Sequence, residues 1–173
     1  MSATAGWVAD HGKVEVSGAG RDEGTVRLIG NTRAYLVEDY SRSTWREHKY
    51  ARMDLTLTQP LAFRVDLSNV PCGCLACVYG VAMNDPSSFK GSNYCDMGGD
   101  RDGATRSCAE VDMMEANRDA LQTALHTEAG GSFGSHQCDR IGCFARSGGE
   151  NAPEARKESY GPGKGVIDSS RPF

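Results

Sequence analysis

Two stretches of the chain alternate between apolar and polar residues. Met53, Leu55 and Leu57 interleave with Asp54, Thr56 and Thr58; beyond Pro60, Leu61, Phe63, Val65 and Leu67 interleave with Ala62, Arg64, Asp66 and Ser68. A period of two marks a strand with one buried face. The pattern therefore predicts two neighbouring antiparallel strands, the first ended by Pro60 and the second by Asn69-Val70-Pro71. Thr25–Leu28 and Arg33–Val37 predict two more, with Gly30-Asn31 as the turn between them. Val78–Met83 reads as a further strand, and Val166-Ile167-Asp168 begins a last one. Residues 1–24 carry little apolar periodicity and read as an edge segment, with loop from Gly18 to Gly24. Tyr40–Tyr50 reads as loop or short helix in which Trp45 packs or anchors, Glu150–Glu158 as loop, and Tyr160-Gly161-Pro162-Gly163 as a turn. Clusters of Gly, Asn, Asp and Ser recur between the short apolar runs. The expectation is an all-β sandwich, with one domain over residues 25–173.

With 173 residues, a single domain of this size buries roughly 70% of its unfolded surface. A net charge of −4 with mixed signs disfavours nucleic acid as a partner. No apolar run is long enough to span a membrane. Met1–Trp7 lacks the basic and apolar regions of a secretory signal, so either export does not use that route or the start lies upstream. No Asn-x-Ser/Thr sequon appears.

The chemistry concentrates in Glu110-Val111-Asp112-Met113-Met114-Glu115-Ala116-Asn117. In a strand, Glu110 and Asp112 share one face while Val111 and Met113 take the other. Glu115 has the wrong parity, unless a β-bulge at Met113-Met114 absorbs one residue and returns it to the carboxylate face. Three acids so disposed suit glycoside hydrolysis, which uses a carboxylate nucleophile and a carboxylic acid. Glu110 is the candidate nucleophile and Glu115 the acid/base. Asp112 could hold a proton or hydrogen-bond Glu110, and like charges this close push at least one carboxyl's pKa upward. Spacing alone also admits a solvated amphipathic helix, with Glu110, Met113, Met114 and Asn117 at helical intervals.

Beyond the octapeptide, matching pieces stand in order: Arg33-Ala34-Tyr35-Leu36; Phe63 through Gly73; Tyr79; Tyr94-Cys95-Asp96; Cys108-Ala109 leading into Glu110–Asn117; His126; Cys138 through Cys143; and Tyr160–Gly163. Over Arg27–Phe173 the chain resembles glycoside hydrolase family 7, the cellobiohydrolases and endoglucanases that cut β-1,4-glucan with retention of configuration. The resemblance implies a concanavalin-like β-jelly-roll sandwich of two antiparallel sheets. It implies catalysis by Glu110, Asp112 and Glu115 without cofactor or metal, and a monomer acting on cellulose or a related β-glucan. It also places Arg33, Tyr79, Tyr94, Asp96 and His126 at the cleft, with Tyr79 beside the nucleophile and His126 beside the acid/base. Localisation would be extracellular.

By the same resemblance Cys95 pairs with Cys108, closing a loop of about 14 residues valued near 3 kcal/mol by chain entropy. Cys138 and Cys143 enclose a tight loop and could pair. Seven cysteines leave Cys72, Cys74 and Cys77 unassigned, and family members continue past Phe173, where the partner of Cys72 would lie. Cys-x-Cys-x-x-Cys could instead supply three thiolates to a metal, although Cys74 and Cys77 have opposite parity on a strand. The chain departs from the family pattern in having Met114 where tryptophan is typical, a short stretch between Asp100 and Ser107, and Leu75 at a polar position. Those departures imply an open, endo-acting groove. The alternative is a carbohydrate-binding remnant that turns nothing over.

Overall fold

The computed structural model describes residues 6–18, 24–40, 47–54, 60–86, 92–97, 99–100, 108–126, 138, 142–150 and 152–173. They form an all-β structure of largely antiparallel sheets, with one short helix among them. Trp45, the expected strand at 55–58 and the stretch at 101–107 lie outside the described residues. The chain divides into two compact units, Met1–Gln59 with Asn84–Tyr94, and Pro60–Met83 with Cys95–Phe173. The boundary expected at 24/25 falls inside the first.

In the first unit, β1 (Gly6–Ser17) and β2 (Thr25–Val37) form an antiparallel ribbon. This corrects two expectations. Residues 6–17 are strand rather than edge or loop, and Gly30-Asn31 does not separate two strands. From His11↔Arg33 to Lys13↔Ile29, β1 advances two residues while β2 advances four, so Gly30-Asn31 is extra length in one continuous strand. Thr32 closes the irregularity: its Oγ1 accepts from the Lys13 amide at 3.0 Å and donates to the Ile29 carbonyl at 2.6 Å. Gly12, at φ +77°, is required there because a Cβ would lie 2.1 Å from Thr32 Oγ1. Beyond the ribbon, Val37 bridges Tyr50, and the Tyr35 ring packs on Tyr50 and Tyr94 with centroids 5.1 and 6.4 Å apart.

The second unit is built on a four-stranded antiparallel sheet of β3 (Ala76–Val81), β6 (Glu110–Ala116), β7 (Ala120–His126) and β8 (Cys143–Gly148), in the order β3-β6-β7-β8. Two-residue strands β4 (Cys95–Asp96) and β5 (Gly99–Asp100) pair antiparallel, whereas β9 (Tyr160–Gly161) and β10 (Ile167–Asp168) pair parallel. One helical turn, α1 (Glu154–Lys157), lies where loop is expected. On one face of the main sheet Met114 and Ala116 join Leu67 and Tyr160 in a buried cluster, with Val65, Val70, Ala76, Val78, Leu121, Ile167 and Phe173 packed against it.

The expected strand over Leu61–Leu67 is not formed. Leu67 is buried while Leu61 and Phe63 are exposed. Among the described residues its regular pairing is that of Val65, whose amide and carbonyl both bond Phe173 at 3.0 Å. Alternation suits a strand but supplies no partner, and backbone groups without one do not extend a ladder.

The β6–β7 turn explains Asn117. Its Oδ1 accepts from the Asp119 and Ala120 amides at 2.8 and 3.0 Å, and its Nδ2 donates to the Cys74 carbonyl at 3.1 Å. The Asn117 backbone carbonyl is thereby left to accept from the Tyr160 hydroxyl at 2.6 Å. An asparagine side chain here does the work of a backbone carbonyl. Asn117→Ala removes all three side-chain bonds and is expected to cost about 1–3 kcal/mol, read as a lowered midpoint in urea denaturation with an unchanged slope.

Candidate active site

The bulge that parity demands at Met113-Met114 is present and visible from both neighbouring strands. Against β7, Asp112 opposes Ala124 and Glu115 opposes Gln122, so three steps on β6 match two on β7. Against β3, Met114 opposes Val78 and Asp112 opposes Tyr79, so two steps match one. Glu110, Asp112 and Glu115 consequently share one sheet face, and Met114 and Ala116 turn to the core on the other. Asp112 is buried, while Val111, expected in packing, is 36% exposed.

Cross-strand register fills in the carboxylate face. Glu110 lies between Val81 and His126, Asp112 between Tyr79 and Ala124, and Glu115 between Cys77 and Gln122. Tyr79 thus stands opposite Asp112, one pair along from Glu110, beside which the resemblance implies it. His126 does not stand at Glu115. Its register partner is Glu110, and its Nε2 lies 3.1 Å from Asp112 Oδ2. Other groups stand at Glu115 instead: Gln122 Nε2 donates to Glu115 Oε2 at 2.8 Å, and Arg146 Nε on β8 donates to Gln122 Oε1. Arginine only donates, so its bond fixes which end of the amide faces Glu115. Arg146 also lies 4.2 Å over the Phe144 ring. Sequence reading missed Gln122 and Arg146; Gln122, on β7, shares the parity of His126, which was a signal.

The expected disulfides Cys95–Cys108 and Cys138–Cys143 are both formed. The first holds β4 beside the start of β6, where the Cys108 amide donates to the Asp96 carbonyl at 2.9 Å and the Met97 amide to Glu110 Oε2 at 3.2 Å. Asp96 is near enough to raise the Glu110 pKa. The second brings Gly142 against His126. At φ +83°, a Cβ on Gly142 would lie 2.5 Å from His126 Cε1, so only glycine leaves the ring its place. Arg33 and Tyr94 belong to the first unit, where the guanidinium sits 3.6 Å over the Tyr94 ring, a cation–π pair.

Electrostatics separates the acids. Burial is the main cause that pushes Glu110 up to about 7, with Asp112 and Asp96 adding to it and the Met97 amide and His126 opposing. Burial also raises Asp112, Glu115 adds, and hydrogen bonds from His126 and Glu110 oppose. Both carboxyls therefore hold their protons more tightly than ordinary, Glu110 in part because of the Asp112 charge. The Cys77 thiol, opposite Glu115, is pushed up to about 12 by burial and by the three carboxylates; it is a neutral wall of the site. No group of three or more His, Cys, Asp or Glu among the described residues could hold a metal ion, the Cys72-Cys74-Cys77 run included. The chain matches no protein-family model.

Two outcomes follow from this geometry. Alanine at Gly142 is strained by its backbone and by the His126 ring, so Gly142→Ala is expected to destabilise the fold by at least about 1 kcal/mol. That cost falls in a His126→Ala background, where only the backbone strain remains, as a double-mutant cycle in urea will measure. The second concerns pH. Because the Glu110 pKa lies above the ordinary 4.5, the folded state keeps a proton that the unfolded chain has released between about pH 4.5 and 7. The contribution of this group to stability is whole below about pH 4.5 and is lost as pH rises through about 7. Glu110→Gln carries no charge at either limit, so its stability relative to the parent is expected to rise between about pH 4.5 and pH 8, compared by urea midpoints at the two values.

Proposed function

We propose that this face is the active site of a retaining glycoside hydrolase, a cellulase-type enzyme that cleaves β-1,4-glucosidic bonds of cellulose or a related β-glucan in endo mode. The observation that carries the reading is the bulged strand β6, which turns three carboxylates to one face, where burial raises two of them. Glu110 attacks the anomeric carbon and forms a glycosyl-enzyme. Glu115 protonates the departing oxygen and then takes a proton from the water that hydrolyses that intermediate. Attack needs Glu110 ionised, and a proton held on Asp112, whose own proton affinity is raised, relieves the repulsion at that moment. Asp112 thus sets the charge state of the nucleophile, and His126, bonded to Asp112, tunes where the proton rests.

On this reading Tyr79 and Asp96 border the nucleophile, Gln122 and Arg146 hold Glu115, and Arg33 and Tyr94 offer a stacked surface to glucan. The all-β architecture is taken as a concanavalin-like jelly-roll sandwich. The protein is read as secreted, in keeping with two disulfides. The endo mode rests on Met114, Leu75 and the short stretch before Ser107.

The test is reducing-sugar release from carboxymethyl cellulose and mixed-linkage β-glucan, beside an aryl cellobioside whose leaving group needs no protonation. Glu110→Gln is expected to abolish turnover of all three. Glu115→Gln is expected to lose the polysaccharides by a factor of about 10² or more and to keep a rapid first release of the aryl group, followed by slow turnover because the second step lacks its base. Turnover that survives Glu110→Gln removes the assigned nucleophile, and glucan binding without turnover by the parent replaces hydrolase with binding domain.

A further inference from the structure

The carboxylate face does not end at β7. Gln122 opposes Glu115 on one side and Arg146 on the other, and Ala124 in the same way joins Asp112 to Phe144. Directly opposed residues share a face, so Phe144 and Arg146 on β8 look the same way as the acids, about 9–10 Å from them across two strand spacings. Phe144 is 46% exposed. A lone exposed ring needs no explanation, but this one lies against a guanidinium held at two points. Arg146 Nε donates to Gln122 Oε1, and its Cζ sits 4.2 Å over the Phe144 ring. Of the five N–H donors in the fork, Nε supplies one. Among the described residues the Nη donors meet no acceptor.

A guanidinium fixed in this way has little freedom left to lose, so its remaining donors bind a ligand at lower entropic cost. Beside an exposed aromatic ring they match a pyranose, whose C–H face packs on the ring while its equatorial hydroxyls accept from the fork. An anionic ligand would meet Glu110, Asp112 and Glu115 on the same face, whereas a neutral sugar meets no such repulsion. The pair also stands at a defined end of the acidic row. Arg146 lies in the cross-strand line of Glu115, and the line of Glu110 runs through His126 instead. We propose that Phe144 and Arg146 form the subsite for the glucosyl unit on the leaving-group side of the scissile bond, with Phe144 as stacking platform and Arg146 as donor to its hydroxyls. This placement rests on the hydrolase reading of the face. In the second step the same subsite can hold an acceptor sugar in place of water. The acceptor hydroxyl gives its proton to Glu115, its oxygen bonds the anomeric carbon, and the ester bond to Glu110 breaks to return the carboxylate.

Binding is measured by calorimetry with cellotetraose in a Glu110→Gln background. Adding Phe144→Ala or Arg146→Lys is expected to weaken it about 10-fold or more in each case, and urea midpoints separate loss of the subsite from loss of fold. Position is measured by transfer. The parent and both single variants receive dinitrophenyl cellobioside with cellobiose as acceptor, and glycosyl transfer is compared with hydrolysis. Glu115 is the base in both, so a residue that only orients Glu115 moves the two together and leaves their ratio unchanged. Phe144→Ala and Arg146→Lys are each expected to lower that ratio about 10-fold. Cellotetraose binding that is absent, or undiminished in either variant, overturns the subsite, and an unchanged transfer ratio overturns its place on the leaving-group side. A parent that binds cellotetraose and releases no aryl group overturns the hydrolase reading, and with it the leaving-group placement, while calorimetry still decides whether Phe144 and Arg146 bind sugar.

Discussion

One extra residue in strand β6 governs the rest of the carboxylate face. A strand keeps its register by strict alternation, and without the insertion at Met113-Met114 the side chain of Glu115 would turn into the core beside Leu67 and Tyr160. With it, three acids look one way while Met114 and Ala116 fill the other side. The insertion costs regular pairing at one point of the ladder, and burial of Met114 and Ala116 on the far face offsets that loss. Chemistry and core thus hang on the same irregularity, and neither can move without the other.

The acids are then differentiated by what surrounds them. Glu110 and Asp112 lose water and are both raised, with the Met97 amide and His126 as the compensating donors. Glu115 is held by a different device, an amide oriented by an arginine. A buried like-charged pair is a stability cost in any fold, and sites that retain one do so where the chemistry uses the resulting proton affinity. The disulfides act upstream of this. Cys95–Cys108 anchors the segment that supplies the Met97 amide, and Cys138–Cys143 frames the glycine that gives His126 its room.

Much of this was legible from local pattern. The parity of Glu110, Asp112 and Glu115 demanded a bulge, because it follows from a few neighbouring residues; the Cys95–Cys108 pair came instead from the resemblance, and Cys138–Cys143 was a pairing that a tight loop allowed. Elsewhere the same logic failed for want of a partner. Leu61–Leu67 alternates as well as any stretch of the chain, yet among the described residues its regular pairing is that of Val65 with Phe173. Gly30-Asn31 has turn composition yet sits as surplus length within β2, because β1 continues alongside it. The strand at Gly6–Ser17 carried a signal that was passed over, the alternation of Lys13, Val14, Glu15, Val16 and Ser17.

By itself the sequence determined the periods: which residues share a strand face and where an acid has the wrong parity. These are short-range properties, set by backbone sterics and by the pleat. Tertiary structure alone decided which strands became neighbours, and with that the partners of each acid. His126 came to Asp112 rather than to Glu115, Gln122 and Arg146 came to Glu115, and Gly142 came under the imidazole ring. Register between distant segments is a balance of many weak contacts over the whole unit, and no single stretch of the chain carries enough of them to announce it.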